Sequence, residues 1–201
     1  MFYEPAAGHP LPRDPFKAIV APRPIGWISA VDAEGRVNLA PYSFFNAIST
    51  DPHMVMFSSE GEKDALAFAR ETGEFVCSLA TFDLREAMNA TSAPLPRGES
   101  EFAHAGLTTA PSRIVKAPRV AESPVALECK LVQIVPLTGL SGRTTYHMAI
   151  GEVVGVHIDE RFLVDGFLDI AAMRPIARAG YFDYFVATPE TKFSIRRPPG
   201  G

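Results

Sequence analysis

Residues 25–58 read IGWISAVDAEGRVNLAPYSFFNAISTDPHMVMFS, a succession of apolar runs broken by AEGR at Ala33–Arg36 and by Asp51-Pro52. Ile25–Asp32 has the β-branched and aromatic content of a strand. The AEGR segment is a hairpin turn in which Gly35 supplies a positive φ. Val37–Ile48 resumes an extended pattern, and Pro41 within it argues for an edge strand or a bulge, because proline cannot donate to a sheet ladder. His53–Ser58 makes the next strand.

Working outward, the period changes at Lys63–Thr72 (KDALAFARET), where Ala65, Leu66, Phe68 and Ala69 gather toward one side of a helix. Asp64 is placed as its N-cap and Gly73 at its C′ position. Glu74–Ala80 returns to strand, with Phe75, Cys77 and Leu79 on one face. Asp83–Asn89 predicts a short helix, and Ala90–Glu101 a surface loop long enough to carry function. Pro124–Pro136 alternates Val125, Leu127, Cys129 and Leu131 against Glu128 and Lys130, the pattern of a strand with one solvated face. Tyr146–Ile158 is apolar on both faces except at Glu152, with Gly151 and Gly155 permitting close approach of another chain segment. The short segments, set off by 18 prolines and 15 glycines, predict six or seven antiparallel strands closed into a barrel. Neither a repeat nor a linker divides the 201 residues, so one domain over 1–201 is expected, with loose ends at Met1–Pro12 and Arg196–Gly201.

The net charge of −4 and the lack of a basic run exclude phosphate-backbone binding as the leading function, so no nucleic-acid partner is expected. No run approaches the length of a membrane helix, and Glu4, Arg13, Asp14 and Lys17 interrupt any leader-like stretch. Cys77 and Cys129 are far apart in apolar runs, which predicts buried free thiols in a cytoplasmic protein. The five histidines have no metal-binding spacing, so no metal is expected. GxSxG, HExxH, P-loop and GxGxxG signatures are lacking. What stands out is a set of small polar side chains near strand ends: Ser29, Asn38, Ser43, Asn46, Ser58 and Ser59, followed by Lys63 and Asp64. Two hydroxyls and an ammonium beside a helix N-terminus suit a phosphate, although turn and cap chemistry accounts for the same residue types.

The run PRPIGWISAVDAEGRVNLAPYSFFNAISTDPHMVMFSS at Pro22–Ser59, then KDALAFARETGEFVCSLA at Lys63–Ala80, resembles the flavin-reductase-like family of FMN-binding split barrels. The branch it resembles is that named for nitrilotriacetate-monooxygenase component B. MNATSAP at Met88–Pro94, EFAHAGLTTAPS at Glu101–Ser112, VKAPRVAESPVALEC at Val115–Cys129 and ARAGYFDYF at Ala177–Phe185 continue the likeness over roughly residues 10–198. The resemblance implies a mainly β, six-stranded antiparallel Greek-key split barrel with short flanking helices. It also implies non-covalent FMN at a homodimer interface, NADH or NADPH as donor, and an oxygenase component as a partner. Ser29, Asn38, Tyr42, Ser43 and Asn46 would meet the ring or ribityl chain, and Ser58, Lys63 and Asp64 the phosphate. Ala65 stands where the family commonly has a hydroxyl, so that contact to the phosphate is either lost or supplied by Ser59. Trp27 is a stacking or a core residue, Asn89 and Thr91 flavin contacts or helix caps, Arg178 a phosphate or nicotinamide contact or a surface salt-bridge partner, and His147 a structural histidine in preference to a proton donor. No catalytic residue is assigned, because hydride transfer to a flavin needs none. The alternative from another class is a non-enzymatic FMN electron carrier or redox sensor.

Overall fold

The computed structural model describes residues 1–198; the last three residues of the Arg196–Gly201 tail lie outside them. Its main sheet is entirely antiparallel and uses β1 (Gly26–Val31), β2 (Val37–Tyr42), β3 (Phe45–Thr50), β4 (His53–Glu60), β5 (Glu74–Leu79), β6 (Val125–Thr138) and β7 (Thr144–Ile158). The spatial order is β2-β1-β5-β6-β7-β4-β3. Thus the two outermost strands, β2 and β3, are consecutive in sequence and joined only by Ser43 and Phe44. A flat sheet would set its edges several strand spacings apart, so this connection forces the sheet to close on itself. The sheet therefore has seven strands, within the six or seven expected from the residues and one more than the resemblance implies, because Val37–Ile48 breaks at Ser43-Phe44 into two. Pro41 does lie on an edge strand, opposite Trp27.

Glycine makes the closure possible. A Cβ on Gly26 would stand 2.4 Å from the Phe45 ring, so β3 approaches the backbone of β1 directly there. Gly151 gives the same close approach to Phe75 inside the barrel, as its place in the apolar run predicts. The interior holds Ile28, Phe57, Phe75, Cys77, Cys129 and Ala149, capped by Leu66 and Phe68 of helix α2 (Asp64–Thr72), which follows the short helix α1 (Phe16–Ile19). Both cysteines are buried and unbridged. Gly73 ends α2 in the left-handed region, φ +73°, its N–H donating to Ala69 O. Because β1 alternates, Trp27 points to the opposite side, into a second core with Leu39, Met88 of α3 (Arg85–Ala90) and Phe102 of α4 (Glu101–His104).

The outer face of β5 and β6 departs from the solvated face expected of Glu128. Glu128 is fully buried, and its carboxylate accepts from the backbone N–H groups of Arg113, Ile114 and Val115 at 2.7–3.0 Å and meets His157 Nε2 at 2.5 Å. On the neighbouring strand Glu74 accepts from Lys116 N and from Lys130 Nζ. The irregular segment 113–116 has no ladder of its own, and these carboxylates satisfy its N–H groups. No helix among the described residues is long and apolar enough to cross a membrane.

Burial alone would raise the Glu128 carboxyl, but the Arg113 N–H, then His157 and the other two backbone donors, outweigh it and bring it down to about 2 from an ordinary 4.5. A carboxylate depressed in the folded state contributes stability that is complete above the unfolded value and is lost as pH falls through the folded one. The gap corresponds to about 3 kcal/mol. Urea unfolding of wild type and Glu128→Gln should therefore differ by about that much at pH 6, with the difference shrinking steadily between pH 4.5 and 2. A difference independent of pH would refute the role assigned to this carboxylate.

Candidate cofactor cleft

The break at Ser43-Phe44 leaves a cleft of about 530 Å³ at the barrel mouth, within the range of small-molecule sites. Its floor is Asn38, Ala40 and Tyr42 of β2 with the Ser43-Phe44 connection. One wall is the end of β4 and the start of α2, through Ser58, Lys63 and Asp64; the other is Thr91–Leu95, the first half of the suspected loop. Phe44 O accepts from Ser58 N at 2.8 Å, so the break itself is bonded across the mouth to β4.

The chemistry of the phosphate wall follows from how α2 begins. Lys63, not Asp64, holds the extended N-cap conformation, and its carbonyl accepts from Leu66 and Ala67 N; no side chain caps the helix. Asp64 is the first helical residue. An uncapped N-terminus presents first-turn N–H groups and a partial positive charge. Ser58 Oγ lies beside it, buried and without a hydrogen-bond partner. A buried hydroxyl left unpaired costs about 1–3 kcal/mol, a cost that an oxyanion held there would remove.

The floor has a second orphan. Asn38 donates through Nδ2 to Glu101 Oε1 at 2.8 Å, while its Oδ1 is buried and unpaired. Glu101 also accepts from Leu39 N at 3.0 Å, so one carboxylate of α4 fixes both the amide and the backbone of β2. Tyr42 is buried, which pushes its hydroxyl up to about 12, and the Asp64 and Glu101 carboxylates act in the same direction. It remains a neutral phenol at physiological pH. Lys17, Glu60 and Tyr146 complete the rim. None of these three stood out in the sequence, because α1 is a single turn and the strand pattern of β4 and β7 does not tell where their ends meet.

The remaining sequence candidates are distributed differently. Ser59 shares the interior face of β4 with Phe57 and does not line the cleft, so it does not replace the hydroxyl missing at Ala65. Ser29 is fully buried and donates to Pro118 O. Asn46 is exposed on β3, its Oδ1 accepting from Ala47 N. Trp27 is a core residue whose Nε1–H donates to Thr91 Oγ1 at 2.9 Å, and Thr91 in turn donates to Met88 O. It supports the loop wall from behind. Asn89 and Arg178 line an adjoining cleft. His147 is half-buried with Nδ1 unpaired, away from the cleft.

The geometry is that of a closed antiparallel barrel with a ligand cleft at its split. The family model for the flavin reductase like domain matches residues 20–168, and the chain belongs to that family. A protein of Halalkalibacterium halodurans is 36% identical over 184 residues, covering 89% of this chain and 87% of its own. Among solved structures, nitrilotriacetate monooxygenase component B from Bacillus cereus superposes with a TM-score of 0.86 at 30% identity, over 97% of this chain and 98% of that one. The 2-nitrobenzoate 2-nitroreductase of Pseudomonas fluorescens superposes with a TM-score of 0.79 at 27% identity, over 92% of each chain. The split-barrel fold and a flavin-related oxidoreductase class are thereby established.

Proposed function

We propose that the chain binds FMN non-covalently in the barrel-mouth cleft and reduces it with NADH or NADPH. The observation that carries this is the pair of buried, unpaired polar groups in one cleft, the Ser58 hydroxyl beside an uncapped helix and Asn38 Oδ1 on the floor. Ser58, Lys63 and the first-turn N–H groups of α2 hold the phosphate. Asn38 and the backbone from Ala40 to Phe44 meet the polar edge of the ring, and neutral Tyr42 lines the same floor. When bound, FMN supplies the hydride-accepting centre, so the protein needs no nucleophile or general base of its own. Its residues bind, orient and keep one ring face open. The α2 wall seats one phosphate and has no Gly-rich loop beside it for a second, which favours FMN over FAD.

The likeness to a monooxygenase component supports a partner oxygenase as the destination of the electrons. NAD(P)H and two unbridged thiols suit the cytoplasm. Val132, Leu137, Val156 and Ile158 of β6 and β7 stay exposed, and a homodimer would cover them while closing the open side of the cleft.

Anaerobic mixing of FMN-loaded protein with NADH and NADPH tests the activity: rapid bleaching of the oxidised flavin band with at least one donor is expected. Indifference to both would favour the electron-carrier or sensor alternative. Lys63→Ala should weaken FMN roughly tenfold or more, the worth of a charge-assisted contact, and leave riboflavin affinity unchanged; equal losses for both would remove Lys63 from the phosphate. Light scattering across a dilution series should show a dimer that FMN stabilises, and a monomer with full FMN affinity would refute the shared site.

A further inference from the structure

The cofactor cleft continues past Lys17, Pro41, Ser43 and Ser92 into a second cleft of about 390 Å³. Three cationic side chains line it, Lys17, Arg23 and Arg178, and its lining includes no aspartate or glutamate. That is unusual in a chain of net charge −4, whose Arg36, Arg70, Arg85, Arg161 and Arg174 each pair with a carboxylate.

Arg23 and Arg178 stand directly opposite each other in the antiparallel pairing of Arg23–Pro24 with Ile176–Arg178. Like charges in that position repel. Their hydrogen bonds bring in no formal negative charge, because every acceptor is neutral. Arg23 donates to the carbonyls of Lys17, Val20 and Ala179, and Arg178 to the Tyr184 hydroxyl and the Tyr181 carbonyl. Arg23 is buried with Nε unpaired. Burial first, and then the charge of Arg178, pull its guanidinium below the ordinary value. Among the described residues no counter-charge reaches either arginine. Met88, Phe182 and Tyr184 add apolar surface for a flat ring in the same cleft.

We propose that this second cleft seats the oxyanion of the planar molecule that exchanges electrons across the first, with Arg178 as the anion contact and Lys17 at the junction. This rests on the flavin assignment of the first cleft. An aromatic carboxylate and the phosphates of a dinucleotide share the required chemistry, a negative oxygen group attached to a flat ring.

The test is calorimetric titration of the chain, with and without FMN, using benzoate, its neutral isostere benzamide, and inorganic pyrophosphate. At least one of the two anions should bind about tenfold or more tightly than benzamide. Arg178→Gln should abolish that preference, and Arg178→Lys, which keeps the charge, should retain most of it. Preference for benzoate identifies an aromatic acid as the occupant, and preference for pyrophosphate a dinucleotide. Benzamide binding as well as both anions would overturn the proposal. So would a fall in FMN affinity in Arg178→Gln equal to its fall in anion affinity, since Arg178 would then belong to the flavin. A chain that takes no FMN at all, yet keeps its anion preference, would defeat the flavin assignment and not the anion seat.

Discussion

Two residues, Ser43 and Phe44, carry the chain from one edge of a seven-stranded sheet to the other. That short connection is the constraint on which the rest depends. It forces closure, and closure demands that something pass close to β1, which Gly26 allows by leaving room for the Phe45 ring. Ser43 and Phe44 belong to neither strand, and the Phe44 carbonyl, accepting from Ser58 N, ties the break across the mouth to β4. The cleft is the space this split leaves. Fold and site are consequences of the same covalent shortness.

Outside the barrel, irregular segments are fastened by buried carboxylates and not by apolar packing alone. Asp32 accepts from Glu34 N and Arg36 N in the first hairpin, Glu101 holds β2, and Glu74 and Glu128 hold residues 113–116. A carboxylate offers several acceptor sites, so a single side chain satisfies two or three N–H groups that have no ladder partner. Charge-assisted bonds of this kind are roughly twice as strong as neutral ones. Of these anchors Glu101 lies at the cleft, where it fixes Asn38 and the backbone of β2.

Local chemistry in the sequence was sufficient for most of the strands, the α2 helix with Gly73 at its end, the edge position of Pro41 and the loop that walls the cleft. Each depends on periodicity or on residue-specific backbone preference. The division of Val37–Ile48 was not legible, because Ser43-Phe44 has neither the glycine nor the proline that marks a break, and the extended pattern runs through it. Glu128 was read as solvated because alternation tells which face it occupies but not that residues 113–115 return to cover that face. Asn38, Tyr42, Ser43, Ser58, Lys63 and Asp64 do converge on one cleft. Ser29, Asn46 and Ser59 have the same polar character, but the pleat turns them elsewhere. The facing of Arg23 and Arg178 depends on pairing between the two ends of the chain, which no local pattern encodes.

The bond from Trp27 to Thr91 joins the only tryptophan of the chain to the wall of the cleft. An indole sealed from water emits at the blue end of its range, and a yellow chromophore absorbing in that region drains its excited state across tens of ångströms. With a flavin in the mouth, as proposed above, the emission of Trp27 would therefore gauge whether the mouth is filled. Because the indole is held by packing on one side and by a hydroxyl on the other, its emission also registers any shift of the Thr91–Leu95 wall, with no label added.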